Sequence, residues 1–539
     1  MMKSATTNYN KIKLLIILAT LCNLILTQDD FNDQPISRSL VAQSTQLFVP
    51  CSQDSDCNPP FIFCSNETKL CEHKPIFPIY QKELVGIVII PLLLSLFSIA
   101  GLGGGGIIIP FSMIFFVFDT KNAIAISNFA IFTCSVTRYI YTLDKKHPHP
   151  DKKQNVIIEY NLAIVMLPTV MMGSLTGVFL NIIFPAIALQ AILTALLIFL
   201  SLQSLMKGKD MYRKETIKFQ QEAEKLKKKQ DEERLMMEKI LKLKTDSQGE
   251  IIRESPIDEE QLKKEGTKPQ QIQNFEIEEG QPLTKGLINN VNQEELQQLE
   301  RILEKEKGHK QWDKHLTCLL IFSLLVSTNL LRGNKSLDSI IGIERCSLLD
   351  WMVLFTFYIL CSSITFLGIR RVRKEQILKE KYKRGLADCD IRLTPRNTLR
   401  LQIFSFVGGW ISGALGLGGG AIFNPILIGL GTPPAVATAT SMYMISFSSA
   451  GSTATYIIYG LINLPFSIWV GVIGCFGATG GLALFNVVTK KYNRQSFIVF
   501  VLAGVMGASA LLVPIFGGLD LMKLIDRGED IFKMNSICK

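Results

Sequence analysis

Two glycine runs stand inside the most apolar parts of this sequence. AGLGGGGIIIP, from Ala100 to Pro110, contains Gly103, Gly104, Gly105 and Gly106; LGLGGGAIFNP, from Leu415 to Pro425, contains Gly418, Gly419 and Gly420, followed by Asn424. Glycine is a poor helix former, so each run predicts a break in an apolar helix. A break frees backbone amides, the missing Cβ lets an anion approach them, and a half-helix N-terminus adds positive potential. The chemistry expected is oxyanion binding without a buried cation; the plainer reading is close helix packing or a hinge. After each run come a proline, a short turn and a hydroxyl-bearing element. AIAISNF (Ala123 to Phe129) supplies Ser127 and Asn128, and ATATSMY (Ala437 to Tyr443) supplies Thr440 and Ser441. These are candidate pore-lining donors, although intramembrane hydroxyls more often bond their own backbone one turn back.

Arg138 is the clear cation within a span, read either as snorkelling to the nearby basic end or as attracting anions. From Leu401 to Leu519 there is no Asp, Glu or His, so proton coupling through a carboxylate would fall to Asp119 or Glu159 at the edges of first-half spans. HPHP, His147 to Pro150, reads as a solvated turn before it reads as metal. A Walker loop, HExxH and GxSxG are all missing, so neither ATP-driven transport nor an enzyme is expected, and no cofactor or metal is called for.

The elements that must position these residues are membrane spans. The chain has 539 residues, 48% of them hydrophobic, and a formal charge of +10 whose Lys and Arg cluster at the ends of apolar stretches. That distribution is topogenic rather than nucleic-acid binding. Apolar stretches predict an all-α polytopic membrane protein with about eight to ten spans. Repeat 1 covers 84–206, an additional transmembrane pair 314–369 and repeat 2 398–517. Between the repeats, 207–313 reads as a charged, coiled-coil-like cytoplasmic linker, a tether before it is a partner-binding arm. A basic cytoplasmic loop at 370–397 and a C-terminal tail at 518–539 complete the plan. If basic loops are cytoplasmic, both glycine-interrupted stretches must enter and leave on one side, as re-entrant hairpins of opposite orientation. That is an inverted repeat, in which substrate sites form at broken helices near the midplane.

Residues 1–27 read as a secretory signal peptide. The following 28–83 would then be lumenal or extracellular, with Cys51, Cys57, Cys64 and Cys71 forming disulfides in one of three pairings. The spacings lack the close pairs that build a zinc site. Asn66 heads a glycosylation acceptor, NET. The secretory route leaves plasma membrane and endomembranes open.

The paired G-L-G-G-G-x-x-x-x-P segments, each followed by an A-x-A-[TI]-S element, resemble the TauE/SafE family of sulfite exporters across both membrane halves. The resemblance implies an inverted-repeat transporter of small anionic sulfur compounds or organic anions, with alternating access at the glycine breaks. A passive anion channel, and a membrane-anchored scaffold or receptor using the cysteine-rich segment and the linker, are the alternatives.

Overall fold

The computed structural model describes residues 51–54, 57, 61–66, 69, 71–100, 103–246, 282–333, 339–492, 496–526, 532 and 534. The signal peptide, the first part of the cysteine-rich segment, the centre of the linker and most of the tail fall outside these. Contacts divide the chain into two units. One holds the membrane helices, up to Lys209 and from Gln298 onward; the other is Asp210–Gln297.

The first unit opens with a two-stranded antiparallel sheet, β1 (Ile62–Cys64) and β2 (Cys71–His73). Disulfides Cys51–Cys64 and Cys57–Cys71 staple it, with Cα separations of 5.8 and 5.7 Å. Their sulfurs cluster, but as covalent pairs they offer no thiolate to zinc. Asn66 lies exposed in the connecting turn.

Helices follow. In the first half they are α1 (Gln81–Ala100), α2 (Gly105–Phe115), α3 (Thr120–Thr142), α4 (Tyr160–Ile183) and α5 (Ala186–Asp246). Then come α6 (Pro282–Glu306), α7 (Trp312–Arg332) and α8 (Leu348–Lys381). The second half repeats the order of the first, with α9 (Pro395–Leu415), α10 (Gly420–Gly429), α11 (Pro434–Ile458), α12 (Leu464–Tyr492) and α13 (Ser496–Asp526). Among the described residues six helices are long and apolar enough to cross a bilayer: α3, α4, the first part of α5, α7, α8 and the first part of α12. Local chemistry sets several starts. Asp119 accepts from Lys121 N at 3.1 Å and Asn122 N at 3.3 Å to cap α3, and Thr394 with Pro395 opens α9.

Two boundaries of the sequence reading fall within helices. The linker expected from 207 begins inside α5, and the basic loop expected from 370 begins inside α8. Hydropathy falls at both points, but Lys, Arg, Glu and Leu are good helix formers, so the helix runs on past its apolar part.

Burial separates centre from periphery. The apolar window of α4 is 89% buried and that of α8 only 22%, so α7 and α8 flank the core, joined at one end by a buried Arg332–Asp350 ion pair of 2.5 Å. At the centre, α4 packs along α9 and α1 along α12. A Cβ on Gly173 would lie 2.1 Å from Phe406 O, and one on Gly481 2.2 Å from Ser95 O. Gly173 and Gly177 of GSLTG, and Gly477 and Gly481 of GATGG, thus allow backbone-to-backbone helix contact.

The two ends of the helices are chemically distinct. His73 stacks on Phe118, just before α3, with centroids 4.3 Å apart; this is the disulfide face. At the other end of α3, His309 reaches Leu143 O; this is the basic face. Lys121 Nζ, at the start of α3, donates to Ile182 O at the end of α4, and Phe179 there meets Tyr459, just past α11. The turn before α11, by contrast, shares a cleft with Lys152 and Asp390 on the basic face. So α3 and α11 run in opposite senses.

Candidate functional site

Both ends of the first interrupted stretch lie at the disulfide face. Glu83, in the first turn of α1, pairs with Lys74 at 2.9 Å, and Phe116 O, closing α2, is bonded by His73 Nε2 at 2.8 Å. The second stretch starts and returns at the basic face, where Leu393 N donates to Gln376 Oε1 and Thr432 lines the cleft. Each short helix therefore begins at its glycine run, deep in the protein.

The two breaks touch. A Cβ on Gly105 would lie 2.0 Å from Gly416 O and 2.7 Å from Leu417 Cα, so the first break rests on the backbone of the second. Gly104, the residue before α2, has φ +90°, and a Cβ there would also meet Leu94 Cδ2 at 2.4 Å. From the facing helix α3, Ser127 Oγ donates to Gly416 O at 2.7 Å. The first intrahelical bonds of the short helices run from Ile107 N to Gly104 O and from Ile422 N to Gly419 O, each 3.0 Å. Helix geometry leaves the amides before them, of Gly105, Gly106, Gly420 and Ala421, without intrahelical acceptors. Gly103 and Gly418 complete the breaks, and all these glycines are buried.

Neutral polar groups surround the contact. Asn181 Nδ2 donates to Ala414 O and Tyr456 OH to Gly413 O, both at 2.8 Å. Ser174 and Ser452 hydroxyls lie 2.7 Å apart, and Ser448 bonds Ser412 at 3.4 Å. The sequence reading missed these residues, yet a signal was present. Ser441, Ser448, Ser452 and Thr455 recur at helical spacing, marking one polar face of α11.

The candidate donors separate on inspection. Ser127 sits at the breaks. Asn128 turns Nδ2 back to Ile124 O at 3.1 Å, leaving Oδ1 buried without a partner. Ser441 is fully buried and its hydroxyl has no hydrogen-bond partner. Thr440 is not brought to the breaks; its hydroxyl accepts from Glu159 N at 3.0 Å. Asn424 is buried on α10. Arg138 is 8% exposed, and its Nε and Nη1 are enclosed by protein.

The two carboxylates lie at opposite faces. Burial raises the Asp119 carboxyl above its ordinary value despite its bonds to Asn122 and Lys121. Glu159 belongs to a buried ionic cluster on the basic face, with Lys152 3.2 Å from Glu159 and 2.6 Å from Asp390; Lys379 pairs with Glu306 at 2.5 Å. Burial alone would raise the Glu159 carboxyl, but Lys152 and Lys379 outweigh it and hold it low. His147 and His149 serve the turn, each accepting a backbone N–H through Nδ1. The sequence reading also missed His309, near the end of the 207–313 linker, and His315, at the start of the 314–369 pair. His309 Nδ1 is 2.7 Å from Tyr160 OH, and His315 Nδ1 is 2.8 Å from Tyr443 OH.

This architecture defines an all-α, multi-pass membrane protein whose polar centre is built from helix breaks. The chain belongs to the sulfite exporter TauE/SafE family, which matches residues 87–236 and 339–515. It is 25% identical over 443 residues to Sulfite exporter TauE/SafE family protein 3 of Arabidopsis thaliana, covering 82% of this chain and 80% of that protein. It is 26% identical over 438 residues to family protein 5 of the same plant, covering 81% and 84%. Over 108 residues it is 31% identical to the probable membrane transporter protein YunE of Bacillus subtilis (strain 168), covering 19% and 38%. No solved structure matches it. Membrane transport, not enzyme catalysis, is the activity class that this membership carries.

Proposed function

We propose that this protein carries small anions, of the sulfite or organosulfonate type, across a membrane by alternating access at its paired helix breaks. The observation that carries this reading is the contact of Gly105 with Gly416 and Leu417. It sets two helix N-termini beside a buried cluster of hydroxyl and amide donors. Amides and hydroxyls suit an oxyanion because they solvate negative charge without a buried counterion to release. The glycines at 103–106 and 418–420 would supply the amides, and Ser127, Asn128, Ser441 and Asn424 the side-chain contacts. Arg138 would add positive potential toward the basic face. Because the breaks touch, an anion enters only when they separate, and the opposite running of α3 and α11 supports an inverted repeat that could open to either face in turn. In this reading the basic face is cytoplasmic, and the disulfide face, carrying Asn66 as a glycan acceptor, is extracytoplasmic.

Purified protein in liposomes, assayed for sulfite, sulfate and methanesulfonate flux, tests the reading. Saturable flux of at least one, lowered at subsaturating substrate by Ser441→Ala with the protein still inserted and monodisperse, is expected. Equal flux in wild type and variant would overturn it.

A further inference from the structure

We infer that His309 and His315 together form a proton-binding site on the basic face, through which α11 responds to pH; this rests on the transport reading above. Both histidines lie outside the family-matched segments. They bring imidazoles to a half of the protein that has no Asp, Glu or His between Leu401 and Leu519. The carboxylates at the span edges are already engaged, Asp119 capping α3 and Glu159 paired with Lys152.

Hydrogen bonding sets the protonation states. His309 Nε2 lies 2.7 Å from Leu143 O, and His315 Nε2 3.0 Å from His309 O. A carbonyl only accepts, so both Nε2 atoms carry hydrogen, and each neutral ring receives a tyrosine hydroxyl at Nδ1. A proton arriving from water on His315 Nδ1 turns that atom into a donor. Tyr443 must then turn its own hydrogen away, and the Cys318 thiol is its second hydrogen-bonding neighbour. Tyr443 stands two residues beyond Ser441, so this reversal acts on the helix that lines the proposed anion site. The titratable groups facing the pair are Tyr139 from α3, Asp144 and Lys146 from the loop after α3, Tyr160 from α4, Cys318 from α7 and Tyr443 from α11.

The sign follows from the surroundings. Burial lowers the His309 pKa, and the His315 ring beside it lowers it further. The packing seen here therefore favours the neutral His309 ring. Its stabilisation is held at neutral pH and lost as pH falls through and below the ordinary histidine value of about 6.5.

Hydrogen–deuterium exchange of residues 434–445, measured on the full chain in nanodiscs at about pH 7.5 and about pH 5.5 and corrected for intrinsic rates, tests this. Exchange in the wild type should rise at the lower pH by about tenfold, the response of an opening that takes up one proton as pH falls about one unit below the ordinary histidine value. His315→Gln and His309→Gln should each flatten it. No rise in the wild type, or an undiminished rise in the double variant, would overturn the proposal. Should the histidine variants misfold, seen as raised exchange throughout α4 and α9 at both pH values, Tyr443→Phe decides. It keeps both rings, and a retained response in it also overturns the proposal. Methanesulfonate flux, whose substrate charge is constant over this range, is the separate arm. No flux at either pH with the exchange response intact would sink the substrate reading alone.

Discussion

Ser127 and Ser441 occupy matching places in two related sequence elements, yet only one of them is bonded. Ser127 donates to Gly416 O across the contact between the breaks, while the buried Ser441 hydroxyl has no partner. Ser127→Ala leaves a buried carbonyl without its donor, a loss of about 1–3 kcal/mol, and should lower the thermal midpoint in a detergent-solubilised melt. Ser441→Ala breaks no bond and should leave that midpoint in place while raising the KM for anion flux, because a free donor is lost from the proposed site. Equal melting losses in both variants would remove the distinction. The sequence showed both serines on helices next to glycine breaks. It could not show which one was engaged, because that depends on a carbonyl far away in the chain.

At the scale of elements, four glycines of α4 and α12 have a defined task. Each lies against the backbone of a helix from the other half, Gly173 and Gly177 on α9, Gly477 and Gly481 on α1. Gly173→Leu places a branched side chain where Phe406 O stands 2.1 Å from the Cβ position. Overpacking of this kind costs at least about 1–3 kcal/mol, so loss of the monodisperse peak in size-exclusion chromatography is expected. Gly429→Leu, with nothing within 4 Å of its Cβ position, should keep that peak. Small residues at four-residue spacing were readable as contact surfaces. Their partners were not, since a glycine stripe carries no information about what rests on it.

The whole molecule joins the linker's end to the membrane core. Val156 N donates to Glu306 O and Lys146 Nζ to Lys307 O, beside the Glu306–Lys379 pair and the two histidines. A deletion meant to test the linker must therefore stop before this segment. Replacing Asp210–Gln297 with a neutral spacer should preserve flux, whereas extending the deletion through Gln311 should abolish it by removing Glu306 and His309. Equal flux in the two deletions would show that the basic-face cluster has no part in transport.

Sequence alone determined that the chain is helical and membrane-spanning, that two apolar helices break at glycine, and that related hydroxyl elements follow each break. These are local properties: hydropathy, helix propensity and the missing Cβ act within a few turns of chain. Tertiary structure alone decided that the breaks meet, that Ser127 rather than Thr440 serves them, that Arg138 is enclosed, and that histidines from outside both halves reach Tyr160 and Tyr443. Each of those depends on packing between segments more than a hundred residues apart. Hydropathy and propensity describe how a segment behaves in its solvent, and they do not encode which other segment fills the space beside it.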